Sequence, residues 1–229
     1  MPLSRRDLEE GRMRRIYAET VGAAHALDDE ALDRSLDATL AARPKGAGWW
    51  VFAYGSLLWN PLFPVAETRP ATIHGLNRRF CLHSLASRGT RERPGLVLGL
   101  ERGGSCRGVA LRLPASLAVA ELRLLWRREM VVGSYRPVWV RARTGRRSVV
   151  ALAFAVRRDH PQYACLTLGA QADTLATACG AFGTSCDYLM QTREALARHG
   201  IVDGYLESLA AAVSVRRARR SGGRSGRSG

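Results

Sequence analysis

Val51-Phe52-Ala53-Tyr54-Gly55-Ser56-Leu57-Leu58-Trp59 is an apolar strand pattern that runs straight into Gly-Ser. Glycine lets the backbone turn sharply and lets a ligand approach main-chain N–H groups with no Cβ in the way. Successive N–H groups in such a turn form a concave anion site. The same residues also describe an ordinary strand end followed by a turn, and spacing alone does not choose between the two. Downstream, short β-type runs recur with turns between them. With Trp49–Leu57 as the first, they are Ala71–His83, Leu96–Leu100, Cys106–Leu113, Pro137–Arg143 and Val149–Val156. Strands at this density predict a curled sheet or small barrel.

Helical patterns surround the strands. Ser116–Met130 interrupts the series, and Gln162–Cys179, Asp187–Arg198 and Asp203–Val213 follow His160-Pro161. Upstream, Asp28-Asp29-Glu30 opens a helix with Leu32, Leu36 and Leu40 on one face, closed by Pro44-Lys45-Gly46. The expected fold is α+β: a small mixed or antiparallel β-barrel with flanking helices. Residues 1–46 form an accessory N-terminal helical arm, residues 47–213 the main domain, and residues 214–229 a basic tail that buries nothing and is expected to be disordered.

Composition narrows the function classes. The chain has 229 residues, 46% of them hydrophobic, enough for one well-buried core. No apolar run reaches the roughly 18 residues of a membrane span, and no apolar segment follows the basic N-terminus as secretion requires. Five scattered cysteines suit reduced thiols, so a cytoplasmic protein is expected. The formal charge of +15 owes much to Arg216, Arg217, Arg219, Arg220, Arg224 and Arg227. Such a field attracts anions in general. A basic nucleic-acid-binding protein is the alternative of a different class, but no nucleic-acid motif accompanies the charge.

Familiar catalytic motifs are missing. The sequence has no phosphate-binding glycine loop, no H-E-x-x-H, no C-x-x-C and no G-x-S-x-G elbow, so neither a metal nor a cofactor is expected. Glu129 stands out instead. On a helix over Ser116–Met130 it shares one stripe with Ala118, Leu122 and Leu125. A carboxylate on an apolar face, near a helix C-terminus whose dipole disfavours negative charge, has its pKa pushed up toward the range useful to a general base. The competing reading is an ion pair with Arg128 or Arg136, while Arg127 and Arg128 otherwise suit solvated faces.

Taken in order, several words resemble the ChaC-type γ-glutamylcyclotransferases. They are Val51–Trp59, Arg79-Phe80, Arg88-Gly89-Thr90 with Pro94-Gly95, Gly108-Val109-Ala110 with Arg112-Leu113-Pro114, Trp126–Met130 before Tyr135, and Asp187-Tyr188-Leu189. The resemblance covers roughly residues 49–212. It implies a barrel of the cyclotransferase type and cleavage of glutathione to 5-oxoproline and Cys-Gly, in which the substrate's own α-amine is the nucleophile. It also implies that Glu129 is the catalytic carboxylate and that Tyr54, Gly55, Ser56 and Leu57 hold the γ-glutamyl head, with Tyr188 touching substrate. Arg79 and Arg88 are candidates to attract its carboxylates. Other γ-glutamyl amines or peptides are alternative substrates. Eukaryotic members carry an acidic residue near the start of the catalytic helix, where this chain has Ala120 followed by Glu121.

Overall fold

Five strands close on themselves, and helices from both ends of the chain pack around the closure. The computed structural model describes residues 3–22 and 26–225. Its elements are α1 (Arg5–Glu9), α2 (Arg12–Val21), α3 (Asp29–Ala41), β1 (Trp50–Ala53), β2 (Glu67–Ser84), β3 (Gly95–Arg112), α4 (Ala118–Glu129), β4 (Tyr135–Thr144), β5 (Arg147–Val156), α5 (Leu168–Thr177), β6 (Cys179–Gly180), β7 (Gly183–Thr184), α6 (Ser185–Arg198) and α7 (Gly204–Ser225). The barrel order is β1-β3-β2-β4-β5. β1 lies antiparallel to β3, with Phe52 opposite Ala110, and parallel to β5, with Val51 opposite Leu152. Covered on both sides, all four of its residues are buried, which is why the run is apolar without alternation.

The two runs expected at Leu96–Leu100 and Cys106–Leu113 are one strand. β3 continues through the intervening glycines because β2 pairs with it along nearly its whole length. β2 carries a register shift between His74 and Leu76. Gly75 sits there at φ +80°, in the left-handed region where glycine alone is unstrained. The bulge changes which residues face inward: Ala71 and Ile73 are buried before it, Arg78, Phe80 and Leu82 after it.

Phe52, Phe80, Leu96, Leu98, Leu100 and Phe154 lie in one core with Trp126 of α4 and with Leu32 and Leu36 of α3. Burying each such side chain contributes on the order of 1.5–3 kcal/mol. The N-terminal arm is therefore part of the core rather than an accessory. Trp126 Nε1 donates to Ser35 Oγ at 3.3 Å and Trp139 Nε1 to the Thr39 carbonyl at 3.0 Å. Helix within the arm also begins well before the one expected from Asp28, since α1 opens on a capping box in which Ser4 and Asp7 satisfy each other's backbone N–H groups.

Two helix boundaries differ from expectation. The helix expected over Gln162–Cys179 is only Leu168–Thr177, because residues 162–164 run along β2 instead: His83 N–H donates to the Gln162 carbonyl and Ala164 N–H to the Cys81 carbonyl. Thr167 then caps α5. At the other end, α7 extends through Ser214–Arg220, the start of the expected disordered tail. Arginine favours helix, and Arg216 ties this turn to Asp173 and, at 3.2 Å, to the Gly169 carbonyl. Residues 226–229 lie outside the described residues. Among the described residues, no helix is long and apolar enough to cross a membrane.

Candidate active site

β1 ends at Ala53, and the chain then folds through Tyr54 and Gly55 into a single 3-10 turn, Ser56–Leu58. A Cβ on Gly55 would lie 2.8 Å from the Tyr188 hydroxyl, so the residue must be glycine for α6 to seat Tyr188 there. The N–H groups of Ser56 and Leu57 open the turn and find no backbone acceptor among the described residues, as expected for the first donors of a helical turn. Ser56 also lies against the Tyr188 hydroxyl, and its Oγ accepts from Arg128 Nη2 at 2.7 Å.

The last residue of α4, Glu129, faces this turn. The expected stripe is confirmed at Ala118, Leu122 and Leu125, all buried, and the Glu129 side chain is only 13% exposed. Burial pushes its carboxyl pKa up, while Arg128, whose Nε lies 3.1 Å from Oε1, opposes the shift. Arg128 is not on a solvated face. It is buried and bonds Ser56 Oγ and the Asn60 carbonyl, so it braces the glycine turn against the carboxylate. Glu129 is thus both buried and ion-paired.

A ring of phenols surrounds the carboxylate. Tyr54 donates to the Phe154 carbonyl at 2.8 Å and Tyr135 to the Leu98 carbonyl at 2.7 Å. Tyr54, Tyr135 and Tyr188 all have pKa values raised, first by burial and further by the charge of Glu129. These groups stay protonated and neutral around Glu129. An inner recess is lined by Tyr54, Gly55, Ser56, Leu57, Glu129 and Tyr188. Ser56, Glu129, Tyr135 and Tyr188 also line a wider outer cleft that includes Arg88.

Arg88 sits on the loop joining β2 to β3. It is buried, with its guanidinium 5.5 Å from the ring centres of both Trp59 and Tyr188 and its Nη1 3.3 Å from the Thr184 carbonyl. It makes no ion pair among the described residues, and burial lowers its pKa. A cation held against two aromatic faces, with Asp187 nearby but not in direct contact, is suited to receive a carboxylate.

Arg79 does not join the site. It is exposed, stacks 4.7 Å over the Tyr205 ring and bonds Asn77. Its neighbour Arg78 points inward, donating to the Tyr54 carbonyl and the Arg107 carbonyl, each at 2.6 Å, and pairing with Asp203. Glu121, the other carboxylate of α4, is held by Arg5 through two bonds of 2.7 and 3.0 Å and is not among the residues of either recess.

The ChaC-like protein model matches residues 49–216, the barrel together with every residue of the inner recess. The chain belongs to the ChaC-like family. It is 41% identical to the glutathione-specific γ-glutamylcyclotransferase of Escherichia coli K12 over 78% of each chain. It is 31% identical to glutathione-specific γ-glutamylcyclotransferase 1 of Mus musculus, over 72% of this chain and 78% of the mouse protein. In fold it resembles the crystal structure of a glutathione-specific γ-glutamyl cyclotransferase from yeast, with a TM-score of 0.67, 24% identity, and 75% of this chain and 98% of that chain covered. Of the residues that the ChaC-like motifs singled out, Tyr54, Gly55, Ser56, Leu57, Glu129, Tyr188 and Arg88 are brought together, and Arg79 is not. Sequence reasoning passed over Arg128 as a site residue, and it noted Tyr135 only as a word of the family pattern.

Proposed function

We propose that this chain is a γ-glutamylcyclotransferase that converts glutathione to 5-oxoproline and Cys-Gly, with Glu129 transferring the proton. The observation that carries the proposal is the burial of the Glu129 carboxylate beside a turn whose Ser56 and Leu57 N–H groups have no backbone acceptor among the described residues. The names of the bacterial and mouse relatives support glutathione as the substrate.

The reaction begins with the substrate's α-carboxylate on the N–H groups of Ser56 and Leu57. This holds the glutamyl chain curled so that its α-nitrogen lies over its own γ-carbonyl carbon. Prearranging both reactants on one chain recovers much of the advantage of intramolecular reaction. Glu129 accepts a proton from the α-ammonium, the freed amine attacks, and the new C–N bond closes the five-membered lactam. The protonated carboxyl then delivers that proton to the departing nitrogen as the old amide bond breaks. The second proton of the attacking nitrogen passes through the same carboxylate to the freed amine, so that the lactam nitrogen is left as a neutral N–H and Cys-Gly departs as its ammonium. A base that must also act as acid works best with its pKa close to the working pH, and burial moves Glu129 in that direction. Arg88, in the outer cleft, takes a carboxylate of the Cys-Gly portion. All five cysteines are free thiols, which supports a reducing, cytoplasmic setting.

The test is incubation of pure protein with glutathione and, separately, with γ-glutamylalanine, followed by mass spectrometry. The proposal expects 5-oxoproline and Cys-Gly from glutathione. Production from γ-glutamylalanine alone would keep the chemistry and reassign the substrate.

A further inference from the structure

The outer cleft has a wall that lies outside the matched residues 49–216. Leu3, Met13 and Tyr17 line it together with Glu129 and Arg88. Met13 and Tyr17 are one turn apart on α2, buried in a second apolar cluster with Leu8, Val131 and Phe182. The Tyr17 hydroxyl faces the hydroxyls of Ser87 and Ser84, which bond each other at 2.8 Å, and its pKa is raised by burial and then by the charge of Glu129. Ser84 Oγ in turn accepts from the Arg88 backbone N–H at 2.8 Å. A residue of the arm is thus linked to the loop carrying Arg88 while standing within electrostatic reach of the catalytic carboxylate.

The wall is fastened at several points. Arg5 forks onto the buried Glu121 and donates to the Leu62 carbonyl at 3.1 Å, and Asn60 Nδ2 donates to the Leu3 carbonyl at 2.9 Å. Bidentate arginine–carboxylate pairs fix geometry as well as charge. Glu121 therefore anchors the arm.

Position within the cleft decides what the arm touches. The inner recess shares Ser56, Glu129, Tyr135 and Tyr188 with the outer cleft and contains no arm residue, whereas the outer cleft contains three. With the glutamyl head in the recess, whatever is attached to its γ-nitrogen extends outward against α2.

We propose that α2 is a specificity wall for the leaving portion of the substrate. Met13 and Tyr17 pack against the residue that follows the γ-glutamyl group, opposite Arg88. This deepens the functional reading above and rests on it. Met13 supplies a soft, adaptable apolar surface suited to a short apolar or thiol side chain. Tyr17 supplies a ring face and keeps the Arg88 loop in place.

The experiment compares the unmodified chain with Met13→Ala and Tyr17→Leu, measuring 5-oxoproline from glutathione and inhibition by added 5-oxoproline, which on this reading occupies the head recess alone. Losing contacts of about this size from a substrate pocket costs on the order of 10-fold. The expected result is a KM for glutathione raised about 10-fold, with kcat and the 5-oxoproline inhibition constant within about two-fold. An unchanged KM in both variants overturns the inference, as does a kcat that falls in step with KM. Thermal melts set an assay temperature at which both variants are folded, so that either result bears on contact with the substrate. Absence of 5-oxoproline with the unmodified chain refutes the functional reading itself, and the specificity wall with it.

Discussion

The contact between Gly55 and Tyr188 allows a test of the site's construction by stability alone. Alanine at position 55 places a Cβ 2.8 Å from the Tyr188 hydroxyl oxygen, closer than real Cβ contacts come, while the next nearest atoms, of Leu98, are at 3.6 Å. Overpacking of this kind typically costs about 1–3 kcal/mol. Tyr188→Phe removes the offending oxygen and with it the interactions with Ser56, a loss of about 0.5–1.5 kcal/mol. In the double variant the clash is gone, so the two losses must not add. A coupling of about 1–2 kcal/mol is expected, within the range for residues in direct contact. Urea unfolding of the four proteins measures it. For a domain of this size, 1 kcal/mol corresponds to a shift in Tm of about 2–4 °C, so thermal melts give a second reading. Additive losses, or a Gly55→Ala protein as stable as the original, would refute the packing argument. Rescue of stability is not expected to restore turnover, since the double variant still lacks the Tyr188 hydroxyl on the turn.

The remaining perturbations separate residues that the sequence leaves equivalent. Glu129 must be ionised to accept a proton and burial raises its pKa, so kcat/KM should fall on the acid side at a pH above the ordinary glutamate range. Arg128→Met removes the opposing charge and should move that limb to still higher pH; a limb that stays in place would take Arg128 out of this role. Arg78→Met breaks a buried pair and two backbone bonds and should destabilise the fold by about 3 kcal/mol, whereas Arg79→Ala should leave both stability and glutathione turnover almost unchanged; unfolding and initial rates distinguish them. Arg88→Met should raise the KM for glutathione about 10-fold or more, the cost of losing a charge-assisted bond, with little change in the response to 5-oxoproline.

Much of the site could be read before any coordinates. The 3.6-residue period placed Glu129 on the stripe of Ala118, Leu122 and Leu125, and the apolar run into Gly55-Ser56 located the turn it faces. Arg128 escaped because α4 is buried over more than one stripe: Glu121, Trp126 and Arg128 are covered as well, by α1, α3 and the glycine turn, which lie far away in sequence. Arg79 was misplaced for a different reason. It was singled out through the Arg79-Phe80 word, and nothing local in the sequence shows that the bulge at Gly75 turns Arg78 and Phe80 inward and leaves Arg79 exposed. The role of the arm was hidden because α1 and α2 are short and strongly charged, and their apolar residues make sense only against Val131 and Phe182 of the domain. Glu121 shows the same limit: its partner, Arg5, lies more than one hundred residues earlier in the chain.

The central claim is that one buried carboxylate moves the proton in a reaction whose nucleophile arrives with the substrate. Glu129→Gln keeps the shape and removes the charge, so glutathione binding by calorimetry and 5-oxoproline formation by mass spectrometry, measured on the same preparation, test it most directly. The account predicts binding close to that of the unmodified protein and a kcat lower by about 10²–10⁴-fold. A variant that binds glutathione and still forms 5-oxoproline at a comparable rate would contradict it.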